Sequence, residues 1–233
     1  MAGRRVLITG ATKGIGEALV RYALAAGDEV IGCGRSAPAV SHERYTHRLV
    51  DVGDGAAVER LFCDLRAQVR TIDVLINNAG VAAMNAIALT PAETARRIVE
   101  TNFLGTFHFT RAVLRLMRGS SHGRIVNLTT VAVPLRLGGE AVYAASKSAV
   151  ETFTRVAARE LAPFGITCNA VGPSPVRTHL TAGVAAAKMQ ALIDSQPVAR
   201  WAEVDDVINV VDFFLRPQSH MVTGQVIYLG GVS

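Results

Sequence analysis

The chain has 233 residues, of which half are hydrophobic and 18% are charged. That length suits one α/β domain, and that composition excludes intrinsic disorder, because disordered chains are rich in charge and poor in apolar residues. Lysine and arginine number 24 against 19 acidic residues, giving a net charge of +5. These cations are scattered, and even the densest pairs, Arg4-Arg5 and Arg96-Arg97, fall short of the runs that bind nucleic acid. No nucleic-acid partner is expected. No apolar run approaches the roughly 18 residues of a membrane span, so no membrane association is expected. Gly10 and Lys13 cut Val6-Leu7-Ile8 short of a signal peptide's apolar stretch, and a soluble, cytoplasmic protein is the expectation. Cys33, Cys63 and Cys168 form no Cys-x-x-Cys and lie in apolar stretches. They read as buried, inert thiols in a reducing compartment, with no metal site.

Along the chain, short apolar runs alternate with helical patterns. Arg5–Thr9 reads as a strand and Ile15–Ala26 as a helix stopped by Gly27. Strands follow at Glu29–Cys33 and Thr46–Val50, then a helix at Gly55–Val69 and a strand at Val74–Asn77. Ala92–Met117 is helical, as one helix or two. Arg124–Leu128 is a strand, and Val142–Leu161 a helix ended by Pro163 and Gly165. Thr167–Val171 is a strand, Val204–Leu215 a helix ended by Pro217, and Val226–Leu229 the last strand. Several runs are continuously apolar, as a parallel sheet covered on both faces requires. The pattern predicts one doubly wound α/β domain with about seven strands. Pro173 and Pro175 break the stretch from 174 to about 200, where a short helix is expected over the crevice at the strands' carboxyl ends, forming a substrate loop.

Thr9-Gly10-Ala11-Thr12-Lys13-Gly14-Ile15-Gly16 joins the first strand to the first helix. Glycines permit a tight turn and close backbone approach, and the helix N-terminus aims free N–H groups at a phosphate. A flexible surface turn would look similar in isolation, but this one lies between a strand and a helix, as a dinucleotide site requires. Tyr143 and Lys147 stand four apart on a helical pattern and share one face. With only four tyrosines and three lysines in the chain, such a pair rarely arises by chance. A free tyrosine titrates near pH 10, and a neighbouring ammonium would stabilise its phenolate and make it a usable acid or base.

The glycine spacing resembles the TGxxxGxG signature of the short-chain dehydrogenase/reductase family, and the likeness extends over nearly the whole chain. Asp51-Val52 looks like the family's pair at the adenine ring, and Asn77-Asn78-Ala79-Gly80 matches its NNAG motif. Asn102, Tyr143 and Lys147 fall at the catalytic Asn and the YxxxK. The resemblance implies a Rossmann-type fold and a nicotinamide cofactor held by Gly10, Thr12, Lys13, Gly14, Ile15, Gly16, Arg35, Asp51, Val52, Asn78, Ala79, Gly80, Tyr143, Lys147, Val176 and Thr178. Gly34 stands where NAD-dependent relatives carry Asp, and Arg35 follows it. With Lys13 these residues favour the extra phosphate of NADP(H). The resemblance makes Tyr143 the proton donor, Lys147 its neighbour on the nicotinamide ribose, and Asn102 the holder of a relay water. Thr130, thirteen residues before Tyr143, replaces the usual serine and keeps its hydroxyl while adding a stiffening methyl. Pro173-Ser174 replaces the usual Pro-Gly.

These features imply a reductase interconverting a carbonyl and a secondary alcohol, in a homo-oligomer, most simply a tetramer. Among subfamilies the chain looks most like 3-oxoacyl-thioester reductases, whose substrate is presented on a carrier protein. The basic residues such reductases show their carrier would fall at Ser121 and Phe164, with Arg118 and Arg124 as stand-ins. Leu135 and Leu137 suit a substrate wall or an oligomer contact, and Phe103, Phe107 and Phe109 near Leu114 suit an interface or the core. A reductase of another small ketone remains open, as do a catalytically weak NADP-sensing regulator and an epimerase or dehydratase of the extended family. The regulator has no need of the Tyr/Lys pair, and the epimerase needs another glycine spacing and a larger C-terminal region.

Overall fold

Alternate residues of a strand serve opposite faces, so a sheet with helices on both sides needs strands that are apolar at consecutive positions. The computed structural model describes residues 3–120 and 122–232. It contains β1 (Arg5–Thr9), β2 (Glu29–Gly34), β3 (Tyr45–Leu49), β4 (Val74–Asn77), β5 (Arg124–Leu128), β6 (Thr167–Gly172) and β7 (Val226–Tyr228). They form one parallel sheet in the order β3-β2-β1-β4-β5-β6-β7. The helices are α1 (Gly14–Ala25), α2 (Gly55–Gln68), α3 (Ala92–Val99), α4 (Gly105–Met117), α5 (Ala132–Leu135), α6 (Ala141–Leu161), α7 (Ala186–Asp194) and α8 (Val204–Leu215). The doubly wound single domain is as expected, and α7 is the short helix foreseen in the broken stretch.

The two faces separate by alternation. Leu7, Ile31, Leu75, Ile125 and Cys168 point to one side and pack with Phe62 of α2, Phe109 and Val113 of α4 and Leu161 of α6. Their neighbours Val6, Ile8, Val30, Val74, Ile76 and Val126 point to the other and pack with Leu19 of α1 and Phe214 of α8. Local signals set the helix ends. The Asp54 side chain accepts from the Ala57 N–H at 3.0 Å to start α2, Glu203 and Asp206 form a reciprocal cap on α8, and Gly27 and Gly165 turn with positive φ after α1 and α6.

A buried polar column crosses the first of these cores. Asn77 Nδ2 donates to Thr110 Oγ1 at 3.1 Å and to Asn127 Oδ1 at 2.8 Å, and Asn127 Nδ2 donates to Thr154 Oγ1 at 2.8 Å. It ties β4 and β5 to α4 and α6, and each member would be costly to leave unpaired.

The pattern over Ala92–Met117 resolves as α3 and α4 joined without a break through a π-helical turn, Glu100–Leu104. The edge strand β3 starts one residue earlier than its apolar pattern suggests, because it is half-exposed and its ends follow the pairing of Val30 with Tyr45. One expectation is corrected: Cys63 is exposed while Cys33 and Cys168 are buried. α2 buries Val58, Leu61, Phe62 and Leu65, and Cys63 falls on the opposite face of that amphipathic helix. No helix of the described residues is long and apolar enough to cross a membrane.

Candidate active site

The strand order reverses between β1 and β4, and the loops leaving these two strands diverge to opposite faces, opening a crevice at their carboxyl ends. A small bracket spans it. Thr9 Oγ1 accepts from the backbone N–H groups of Asn78 and Ala79, both at 3.0 Å, and Asn78 Nδ2 donates to the carbonyls of Thr9 at 3.0 Å and Gly10 at 3.1 Å. The glycine-rich turn packs so closely on this bracket that side chains are barred. A Cβ at Gly10, whose φ is +66°, would lie 2.8 Å from Ala79 Cα, and one at Gly16 would lie 2.0 Å from the Gly10 carbonyl oxygen. α1 then begins with Lys13 as N-cap residue and no side-chain cap, leaving its first N–H groups aimed into the crevice.

A groove of about 530 Å³ runs along this edge. Gly10, Thr12, Lys13, Gly14, Ile15 and Gly16 form its floor, with Arg35, Asp51 and Val52 at one end and Asn78, Ala79, Gly80 and Thr178 at the other. Arg35 lies 3.8 Å from Asp51, and both are largely exposed. That pair is a weak surface contact that leaves the guanidinium available to a groove ligand. Lys13 is likewise exposed.

The groove continues past Gly80 into a smaller, more apolar pocket of about 170 Å³, lined by Thr130, Tyr143, Lys147 and Val176. Val176 is buried and forms a parallel bridge to Ala202. Tyr143 and Lys147 come from the first turns of α6, and Thr130 from the loop two residues past the end of β5. The remaining expected residue, Asn102, is fully buried in the π-helical turn. Its Oδ1 accepts from the Val81 N–H at 2.8 Å, and its Nδ2 donates to the Val81 carbonyl and to Ser146 Oγ, both at 2.9 Å. Ser146 in turn donates to the Tyr143 carbonyl at 2.7 Å. Asn102 thus braces the loop after β4 against α6. Single π-turns within longer helices recur at functional sites.

Burial dominates the electrostatics. It pushes the Tyr143 phenol up to about 12; the Thr130 hydroxyl pulls the other way and the Glu140 carboxylate adds to the rise. Burial pulls the Lys147 ammonium down to about 8, and its Nζ donates to the Leu128 carbonyl at 2.7 Å. In this setting the phenol holds its proton at neutral pH. Thr129, beside Thr130, is committed elsewhere: its hydroxyl donates to the buried Glu151 carboxylate at 2.6 Å.

Sequence reasoning missed Ser146, the Leu128 carbonyl and Glu140. The i+3 spacing of Ser146 from Tyr143 was a usable signal for the first, but a backbone acceptor carries no side-chain signature. Two further expectations concern the carrier-facing residues. Arg124 is 3% exposed, with its Nη1 on the Gly123 carbonyl, so it faces no partner. Phe164 is exposed, with the Arg118 guanidinium stacked 4.1 Å over its ring, and Ser121 lies outside the described residues. Leu137 lines the pocket, and Leu135 is not among its lining residues.

Residues 10–232 match a family model described as enoyl-(acyl carrier protein) reductase. The chain belongs to the short-chain dehydrogenase/reductase family and is an oxidoreductase of that family, whose members bind a nicotinamide cofactor. It is 32% identical over 235 residues to the 3-oxoacyl-(acyl-carrier-protein) reductase FabG of Escherichia coli (strain K12), covering 98% of this chain and 96% of that one. It is 34% identical over 241 residues to the L-xylulose reductase of Bos taurus, covering 99% and 96%. The crystal structure of a gluconate 5-dehydrogenase from Burkholderia cenocepacia in complex with NADP and tartrate superposes with a TM-score of 0.90, at 29% identity over 99% of this chain and 95% of that one. The residues here fit a dinucleotide: the turn is barred to side chains, the helix N-terminus is uncapped, and the groove leads to the Tyr143 pocket.

The depressed Lys147 pKa carries a stability consequence. Below about pH 8 the amine is charged in both the folded and the unfolded chain, and the cost of burying it is felt in full. As pH rises from about 8 towards the usual 10.5 the folded chain has released the proton while the unfolded chain still binds it, so stability rises. Denaturant melts of wild type and Lys147→Met without added nucleotide should differ accordingly, the difference moving in favour of wild type between those pH values.

Proposed function

We propose that the protein is an NADP(H)-dependent reductase that interconverts a carbonyl and a secondary alcohol. The observation that carries this reading is the convergence of Tyr143, Lys147 and Thr130 on one pocket that opens directly from the groove along the glycine-rich turn. Gly10, Thr12, Lys13, Gly14, Ile15 and Gly16 hold the pyrophosphate end of the cofactor, Arg35, Asp51 and Val52 its adenosine end, and Asn78, Ala79, Gly80, Val176 and Thr178 flank the nicotinamide end. When bound, the nicotinamide supplies or accepts the hydride.

The chain's residues supply the proton and the alignment. Thr130 Oγ1 and Tyr143 Oη both donate to the substrate oxygen, fixing its position between β5 and α6. As negative charge grows on that oxygen, Tyr143 gives up its proton, because an alkoxide is far more basic than a phenolate. Lys147, held beside the site by the Leu128 carbonyl, stabilises the phenolate by its charge and returns a proton to it. Asn102 keeps Gly80 and Val81 in place and holds the relay water on the solvent side of Lys147. The apolar pocket walls exclude water from these steps, and the loop from 174 to about 200 closes them over the substrate.

Arg35 and Lys13 support the choice of NADP(H), since no acidic side chain follows β2 directly to meet a free 2′-hydroxyl. For the substrate, the apolar wall and the E. coli relative support a 3-oxoacyl thioester carried on a protein. The bovine relative and an unpaired carboxylate in the wall, Glu140, support a small polar ketone as a second reading. A homo-oligomer, most simply a tetramer, is supported by an uncovered apolar face on α4 and α6. There Phe107 and Val156 are exposed beside Phe103 and Phe153, whereas Phe109 belongs to the core.

Tyr143→Phe should lower turnover by about 10²–10⁴ while nucleotide binding stays near wild type. Thr130→Ser should keep most activity and Thr130→Val should lose about 2–4 kcal/mol of transition-state stabilisation. Steady-state kinetics by NADPH absorbance, with nucleotide titration alongside, measure both, and a fully active Tyr143→Phe sinks the mechanism.

In fluorescence titrations, wild type should bind NADPH more tightly than NADH, and Arg35→Asp should weaken NADPH the more, because a cation beside the phosphate becomes a like charge. Tighter NADH binding by wild type would reject the assignment.

Sedimentation at micromolar concentration should give a tetramer, and Phe107→Glu should shift it towards smaller species by placing charge on the apolar face. A wild-type monomer would exclude this assembly.

A further inference from the structure

The wall of the Tyr143 pocket contains Met84, Leu137, Val184, Met189 and Leu192, and among these apolar neighbours stands one carboxylate, Glu140. Glu140 is the N-cap residue of α6, yet its side chain makes no capping hydrogen bond. Among the described residues no ion pair engages it. Burial is the one influence on its carboxyl, which is pushed above the usual carboxylate range. Arg136, the cation nearest in sequence, sits in a left-handed turn with its side chain exposed to solvent. An acceptor taken partly out of water and given no donor in return is a cost to the fold unless a ligand supplies the donor. Glu140 is also placed to reach a ligand. It lies three residues before Tyr143 on the first turn of α6, lines the same pocket, and is close enough to raise the phenol's pKa.

We propose that Glu140 determines specificity, selecting ketones that carry a hydroxyl beside the carbonyl and rejecting those that carry a carboxylate there. This rests on the reductase reading above. The substrate's carbonyl oxygen faces Tyr143 while its neighbouring hydroxyl donates to Glu140, so the carboxylate gains the donor it lacks. A keto acid would bring two anions into one apolar enclosure. A hydrocarbon or plain acyl chain laid against the same wall would leave the carboxylate desolvated and unpaired. Of the two substrate classes considered above, the hydroxylated ketone therefore fits this chain better than the acyl thioester.

Hydroxyacetone, acetone and pyruvate form a matched set that varies only the group beside the carbonyl. Wild type, assayed with NADPH and with NADH, should reduce hydroxyacetone with a kcat/KM at least about ten-fold above that for acetone, with pyruvate lowest. In Glu140→Leu the hydroxyacetone-to-acetone ratio should collapse to within about two-fold. Glu140→Gln keeps an acceptor without the charge, so it should retain part of the hydroxyl preference while the pyruvate-to-acetone ratio rises by about ten-fold or more. Thermal melts check that both variants are folded, as the missing cap bond predicts. A wild type with no hydroxyl preference, or a preference that survives Glu140→Leu, overturns the role of Glu140 and leaves the reductase reading standing. Failure of wild type to reduce any ketone with either nucleotide overturns the reductase reading and this inference with it.

Discussion

Four hydrogen bonds between the end of β1 and the start of the loop after β4 hold the working edge of this protein together. Parallel strands that send their loops to opposite faces leave a gap between those loops. Thr9 Oγ1 closes it by accepting from two successive backbone N–H groups, and Asn78 Nδ2 closes it from the other side by donating to two successive carbonyls. The bracket engages part-buried backbone groups of both loops, so it belongs to the fold's own hydrogen bonding as much as to the site. It also sets how near the glycine-rich turn approaches Ala79, and hence the width of the groove in front of α1. The rest of the site is referred to this edge: Gly80 and Val81 continue the bracket's loop, Asn102 fixes Val81, and Ser146 connects Asn102 to the turn of α6 that bears Tyr143.

The ionisable groups sit where water cannot screen them. Tyr143 and Lys147 are both displaced from their usual values by desolvation, in the directions that favour their neutral forms. A neutral phenol and an easily deprotonated amine thus stand one helical turn apart on α6 and line one pocket. Such an arrangement opposes folding locally, and the surrounding core offsets it, as functional sites commonly require.

Much of this was readable in the amino acids. The central strands β1, β4 and β5 fall where the apolar runs place them, because burial on both faces leaves no ambiguity about which residues belong. The glycine-rich turn and the Tyr143–Lys147 spacing were readable because each demands residue types that alternatives do not. Where the reading strayed, the cause was solvent. Cys63 has apolar neighbours in the sequence but points away from the core, and Arg124 is a charge that packing buries at the start of a strand. The edge strand β3 shifts by a residue because half-exposed side chains constrain its ends weakly. Ser146 and the Leu128 carbonyl belong to contacts made only after α6 docks on β5. No local pattern announces a carbonyl that will hold a lysine.

The π-helical turn at Glu100–Leu104 gives the rod from α3 through α4 one residue more than an α-helix would use. That extra residue rotates everything downstream by about a third of a turn relative to what precedes it. α3 can therefore keep Arg97 at the crevice while α4 buries Phe109, Val113 and Met117 against the sheet. The number of residues between Pro91 and Met117 is thus a gear ratio. It couples the angular setting of the brace at Asn102 to that of the core face and of the Phe107 face beyond it, so one residue added or removed along the rod turns all three against one another.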